Sequence, residues 1–262
     1  MTAPLLQVKE ARVHFPIRKG LMNRVTGHVK AVDGISFTLG QGETLSVVGE
    51  SGSGKSTLGY AVMGMEALTA GQILHNGVDQ ATMTREQRLA LRRDVQIIFQ
   101  DPISGLNPRM TVRDAILEPL NIHGIGTKAE REARLNEVLD IVSLPRSAAD
   151  RLPRAFSGGQ RQRLVIARAL ALRPKLIVCD EPVSALDVSI QSQVLNLLLE
   201  LQKELGLSYL FISHDMSVVH HISDRVLVMR HGKEEEQGEV EQVFQTPRSP
   251  YTQELLAAVP RH

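Results

Sequence analysis

Short apolar runs bounded by glycine and charged residues alternate along the chain with longer stretches in which apolar residues recur every three or four positions. LLQV at 5–8, ISFTL at 35–39, TLSVV at 44–48, VQIIF at 95–99, LIVCD at 176–180, SYLFI at 208–212 and RVLVM at 225–229 read as strands. Helical spacing marks STLGYAVMGM after position 56 and the stretches 129–144, 160–172 and 189–205; in the last, Val194, Leu197, Leu198, Leu201 and Leu205 fall on one face. The alternation predicts an α/β core with a largely parallel sheet. IxF alternation in the first strands points instead to an antiparallel element. Residues 100–155 carry no comparable strand run and are expected to form a helical insertion. The polar, basic stretch 16–30 is expected to be an exposed loop.

Composition narrows the function classes. The chain has 262 residues, 42% apolar and 23% charged, enough for a large core. Its 30 basic and 29 acidic residues give a net charge of +1, and it has no Trp, three Tyr and six Phe. A global field for nucleic acid and a base-stacking platform are both missing, so no nucleic-acid partner is expected. Cys179 is the sole cysteine, which leaves no internal disulfide and no multi-cysteine metal site; a small buried hydrophobe in a reducing compartment is the expectation. No run approaches the ~18 apolar residues of a spanning helix, so the chain is expected to be neither secreted nor membrane-embedded by itself.

The strand TLSVV runs into Gly49, Glu50, Ser51, Gly52, Ser53, Gly54, Lys55, Ser56 and Thr57, with a helical pattern after them. This is the P-loop pattern in its strand, loop, helix context. Glycines let backbone amides turn around phosphate oxygens, and the helix N-terminus adds partial positive charge. Lys55 is placed to reach the β and γ phosphates and the Ser56 hydroxyl to ligate Mg²⁺. A chance match to four fixed positions occurs in about one chain in a hundred of this length. A second element, Leu176 to Glu181, is an apolar strand ending in two acids. Taken alone, such a pair is more often a helix cap or a solvated turn. Beside a P-loop, Asp180 can hold Mg²⁺ and Glu181 can orient or deprotonate the attacking water.

Phe156-Ser157-Gly158-Gly159-Gln160 opens the helix QRQRLVIARALAL and makes a second phosphate-ready helix N-terminus in one chain. With the acidic strand at that spacing, the pattern resembles the signature and Walker B motifs of the ABC ATPase family. The resemblance takes in Gln100 of FQDP (Q-loop), Ser184 to Asp187 (D-loop) and His214 of FISHD (H-loop), in family order over nearly the whole chain. Without that context Gln100 would read as a surface residue and His214 as a structural histidine. The adjacent Ser213, His214 and Asp215 do not read as a hydrolase triad, because consecutive side chains point apart.

Within the family, HFPIRKG, GHVKAVDGISFTL, FQDPISGLNPRMTV and TPRSPYTQELLAAVP resemble the ATPases of bacterial oligopeptide and dipeptide importers, a group that also serves nickel and peptide antibiotics. The resemblance implies a P-loop ATPase cassette with a mixed-sheet core, an antiparallel β element and a helical subdomain. It is expected as a single domain over 1–262, with core and β element at 1–99 and 156–245, helical subdomain at 100–155 and C-terminal tail at 246–262. It implies ATP and Mg²⁺ as cofactors, Ser56, Gln100 and Asp180 as metal ligands, and Glu181, His214 and Gln100 as catalytic residues. Ser157, Gly158, Gly159, Gln160 and Asp187 would touch nucleotide across a head-to-tail dimer. Phe15 would stack on adenine, with a core Phe after the first strand as the alternative. Partners implied are a second ATPase subunit, the same or related, two membrane permease subunits at the cytoplasmic face of the inner membrane, and an extracytoplasmic solute-binding protein indirectly.

Three departures stand out. Gly232 to Glu236 replaces a more apolar strand common in the family, and its three glutamates are expected to be a solvated edge, which leaves the second arm of that hairpin open. Val183 lies where the family often has Thr, and no cysteine near the C-terminus could hold the iron–sulfur cluster of some relatives. DNA-repair and translation ABC ATPases would show tandem cassettes or a long coiled-coil insertion, yet Gly49 and Ser157 are 157 − 49 = 108 positions apart. A GTPase would need Asn-Lys-x-Asp, which is absent, and a kinase has no use for the signature loop.

Overall fold

The structure, a computed structural model, describes residues 4–19, 24–101 and 105–258. Along the chain come β1 (Leu6–Lys19), β2 (Arg24–Leu39), β3 (Thr44–Val48), α1 (Lys55–Val62), β4 (Ala70–His75), β5 (Val78–Asp79), α2 (Arg85–Asp94) and β6 (Val95–Ile98). Then follow α3 (Val112–Ile122), α4 (Lys128–Ile141), α5 (Gly158–Leu170), β7 (Leu176–Asp180) and α6 (Val188–Leu205). The chain closes with β8 (Ser208–Ser213), α7 (Met216–Ile222), β9 (Arg225–Arg230), β10 (Lys233–Glu239), α8 (Val240–Gln245) and α9 (Pro250–Ala257). Two compact units result: residues 1–88 with 208–262, and residues 89–207.

In the first unit β3 pairs in parallel with β8 on one side and β9 on the other, and β10 adds antiparallel to β9. Every residue of β3 and β8 is buried, and β3 has a parallel neighbour on both edges, as expected of a continuous apolar run. A separate antiparallel sheet has the order β2-β1-β4-β5. Its inner face carries Leu6, Val8, Ala11, Val13, Ile35, Phe37 and Leu39 at strand alternation, interrupted by a register shift between Val8 and Ala11.

The second unit carries the parallel pair β6–β7 and the helices α3 to α6. Thr127 and Glu130 close a reciprocal capping box that starts α4. Gly206, left-handed at φ 65°, ends α6. Val194, Leu197, Leu198 and Leu201 are buried as their spacing predicts, but Leu205 is 46% exposed in the last turn, beyond the face that the helix buries.

Two expectations are corrected in the first unit. Residues 16–19 and 24–30 are strand, not loop, paired from Pro16 with His28 to Lys19 with Arg24; residues 20–23 lie outside the described residues. Exposed Ile17, Val25 and Val29 supply β-branched side chains that suit an extended ribbon despite its polar composition. The arm after Gly232 is also strand, β10, and its glutamates are not all solvated. Glu236 is 7% exposed and accepts backbone N–H bonds from Arg248 (3.0 Å) and Ser249 (3.0 Å).

Candidate functional site

In the first unit the chain leaves β3 through the glycine-rich loop and enters α1 at Lys55. Glycine is required here by contact as well as by conformation. A methyl group on Gly49 (φ 148°) would lie 2.0 Å from the Met229 carbonyl oxygen, and one on Gly54 (φ 102°) 1.8 Å from that of Ala31. Gly52 (φ 79°) faces open space, so only its left-handed backbone needs glycine.

Lys55 is 5% exposed, and its Nζ donates to the carbonyls of Gly49 and Glu50, both at 2.8 Å. Glu50 also accepts the Ser53 N–H at 3.2 Å, which closes the turn. The buried Ser53 hydroxyl has no hydrogen-bond partner among the described residues. An orphaned buried hydroxyl and a buried ammonium in one loop suit a multiply charged oxyanion. Ser51 and Gly52 are exposed at the tip, and Ser56 and Thr57 are half-buried in the first turn of α1.

His214 lies in the same unit, exposed, directly after β8. Its neighbours are structurally committed. Asp215 Oδ1 accepts the N–H groups of Ser217 (2.9 Å) and Val218 (3.4 Å) as the cap of α7, and Ser213 Oγ accepts the Asp215 N–H (3.0 Å). Phe15, expected either at adenine or in the core, is 39% exposed on β1 opposite Val29, which removes the core alternative.

The second unit holds the remaining residues. Asp180, 5% exposed, ends β7, and Glu181 follows with a left-handed backbone at φ 49°. That conformation is held from two sides: the Glu181 carbonyl accepts Ser184 Oγ (3.1 Å) and Ser184 N–H (3.3 Å), and its Oε2 accepts the Gln100 amide (3.1 Å). Strain of this kind, about 1–3 kcal/mol, persists only where surrounding contacts over-determine it. Burial, with Asp180 next to it, pushes the Cys179 thiol far up and leaves it inert. Val183 is buried, and its carbonyl accepts Gln191 Nε2 at 3.0 Å.

Ser157 caps α5 through a reciprocal box with Gln160: Ser157 N–H donates to Gln160 Oε1 (3.1 Å) and Gln160 N–H to Ser157 Oγ (3.4 Å). A methyl group on Gly159 would sit 2.5 Å from Ile190 Cγ2, and one on Gly158 would sit 3.6 Å from Leu186 Cδ2. The signature loop therefore packs on the segment around Asp187, which stands at the start of α6 without a side-chain cap bond. Ser56 hydroxyl, Gln100 carbonyl oxygen and Asp180 carboxylate are all oxygen donors, the set that a hard divalent cation such as Mg²⁺ takes.

Residues 32–184 match the sequence model of a family described as ABC transporter. The oligopeptide transport ATP-binding protein AppF of Bacillus subtilis is 53% identical over 257 residues, 98% of this chain and 78% of the relative. The chain belongs to the ABC transporter family. OppF of Lactococcus lactis, another oligopeptide transport ATP-binding protein, is 49% identical to this ABC ATPase with 98% and 80% coverage. The glutathione import ATP-binding protein GsiA of Escherichia coli K12 is 53% identical, but the cassette spans 41% of it. Among solved structures, cbiO1 of Clostridium perfringens, part of the ABC transporter complex cbiONQ, superposes with TM-score 0.80 at 28% identity, covering 93% of this chain and 91% of its own. A dimeric post-hydrolysis state of the cassette MJ0796 bound to ADP and Pi has TM-score 0.76 at 27% identity, with 90% and 98% coverage.

One residue of the ABC cassette escaped the motif reading. The Tyr251 hydroxyl accepts the backbone N–H of Glu50 at 3.1 Å. Its string, TPRSPYTQELLAAVP, marks a subfamily but carries no chemistry that spacing could reveal, and Val259 and Pro260 lie outside the described residues.

Proposed function

We propose that this ABC ATPase energises the import of peptides or related small solutes through partner membrane subunits. The observation that carries the reading is the 53% identity to an oligopeptide transport ATP-binding protein over 98% of the chain, with every motif residue in place.

Lys55 and the amides of residues 52–57 hold the β and γ phosphates, the orphan Ser53 hydroxyl donates to one of their oxygens, and Phe15 stacks on adenine. Ser56, Gln100 and Asp180 ligate Mg²⁺, which when bound draws charge off the phosphate oxygens. Glu181 accepts the proton of the attacking water as its oxygen bonds to the γ phosphorus and the bond to the β–γ bridging oxygen breaks. Gln100, which holds one Glu181 oxygen, orients that base, and His214 contacts the γ phosphate. Ser157, Gly158, Gly159 and Gln160, together with Asp187, act on the nucleotide of a second ATPase subunit. Among the described residues no helix is long and apolar enough to cross a membrane. Attachment to the cytoplasmic face of the inner membrane, as a peripheral subunit, would come through two permease subunits, which a solute-binding protein supplies from outside.

The test is co-purification with the membrane subunits, followed by ATPase assays with the solute-binding protein and candidate peptides. Peptide-stimulated hydrolysis is the expected result. Stimulation by nucleic acid, with none by peptides, would overturn the reading.

A further inference from the structure

The helix α9 is fastened at its start far more firmly than its eight residues require. Glu236 accepts the N–H groups of Arg248 and Ser249, and Ser249 Oγ caps the helix by accepting the Tyr251 N–H at 3.2 Å. These bonds aim Tyr251, 3% exposed, into a cluster of Val48, Met216, Val219, Val226, Val228 and Val243. The Arg230 guanidinium lies 4.5 Å over the Tyr251 ring and fixes its tilt. The ring thus packs with the residue just before Gly49, while the hydroxyl bonds the residue just after it.

The hydroxyl is not needed to hold the helix, since the ring and the caps already do so. Nor does the bond serve a buried residue, since Glu50 is exposed. What the bond does is pin one end of the peptide unit whose other neighbours hold the cation: the Gly49 and Glu50 carbonyls are the two acceptors of Lys55 Nζ. We propose that Tyr251 is a positioning residue for the phosphate loop, which it orders before nucleotide arrives. The inference rests on the reading of residues 49–57 as that loop. Pre-ordering lowers the entropy lost on binding, so its removal weakens phosphate binding without touching the chemical step.

Tyr251→Phe keeps the ring, its burial and the Arg230 contact, and deletes only the acceptor. In the full-length protein, Kd for both ATP and ADP should rise about three- to tenfold, the equivalent of one hydrogen bond. KM for ATP should rise with kcat kept, and the Glu50 amide should lose its protection against hydrogen exchange in the nucleotide-free protein. A merely structural hydroxyl would lower the melting temperature and leave Kd unchanged well below it. Unchanged nucleotide affinity in Tyr251→Phe overturns the proposal, as does an equally protected Glu50 amide. Lys55→Ala, measured alongside, separates the two claims: if it still binds ATP normally, the phosphate-loop reading itself fails; if it does not, only the role of Tyr251 is being judged.

Discussion

The Gln100 side-chain amide donates to Glu181 Oε2 at 3.1 Å, from a residue 81 positions earlier in the chain. Gln100 follows β6 and Glu181 follows β7, and the parallel pairing of these strands brings their C-terminal ends together. One carboxylate oxygen is thereby engaged, while the backbone at φ 49° is locked by Ser184. Replacing the base should separate binding from turnover. Glu181→Gln is expected to bind ATP within about threefold of normal and to lose ~10²–10⁴ in kcat, with the ATP-bound dimer accumulating. Rapid steady-state hydrolysis by this variant would place the general base elsewhere.

Two phosphate-ready helix N-termini in one subunit predict sites shared between subunits. Lys55→Ala damages the loop and Ser157→Arg the signature, so each homodimer has two defective sites. Mixing them pairs the intact loop with the intact signature in one site of each heterodimer. ATPase activity above either variant alone is expected once fluorescence transfer shows that the subunits exchange. Exchange without any gain in activity would mean that Ser157 does not act across the dimer.

The loop glycines should differ sharply in tolerance. Gly52→Ala meets no atom and strains only the backbone, at about 1–2 kcal/mol, which lowers the melting temperature by several degrees. Gly54→Ala and Gly49→Ala drive Cβ into main-chain carbonyls that cannot rotate away, so losses above about 4 kcal/mol and little soluble protein are expected. Thermal unfolding and soluble yield of the three variants decide this; similar melting points would show that the loop relaxes freely.

Glu236 offers a pH test. Burial raises its pKa, but the Ser249 and Arg248 amides, with the Thr252 hydroxyl and the Arg248 charge, together outweigh it and hold the carboxyl below the usual glutamate range. Because the folded value is the lower one, the stabilisation is present above the unfolded pKa of ~4.3 and is lost as pH falls through the folded value. Glu236→Gln should melt about 2–8 °C below the unchanged protein at pH 7, and the gap should close in acid. A gap independent of pH would show that the carboxylate charge contributes nothing.

Legibility followed burial. Strands whose every residue is buried, such as TLSVV and SYLFI, are nearly continuous apolar runs, so their sequences announce them. The ribbon strands at 16–19 and 24–30 lacked that signal because most of their described side chains face solvent, and β4 (AGQILH) because half its residues are exposed. Most proposed site residues could be read as motifs because phosphate chemistry demands them at fixed spacing. Glu236 and Tyr251 could not be read in this way: their partners are backbone amides, which any residue presents, at separations of up to 201 positions.

The position of β3 in its sheet has a consequence for the order of synthesis. Its two neighbours, β8 and β9, begin at residues 208 and 225, more than 160 positions after it. A nascent chain therefore carries the sticky segment TLSVV for most of translation with neither edge covered, and the last anchor of the following loop, Tyr251, arrives later still. Long-range pairing of this kind folds slowly and exposes intermediates to aggregation. A ribosome that stalls before residue 230 would release a chain in which this strand is bare on at least one side, a natural handle for chaperones or proteases.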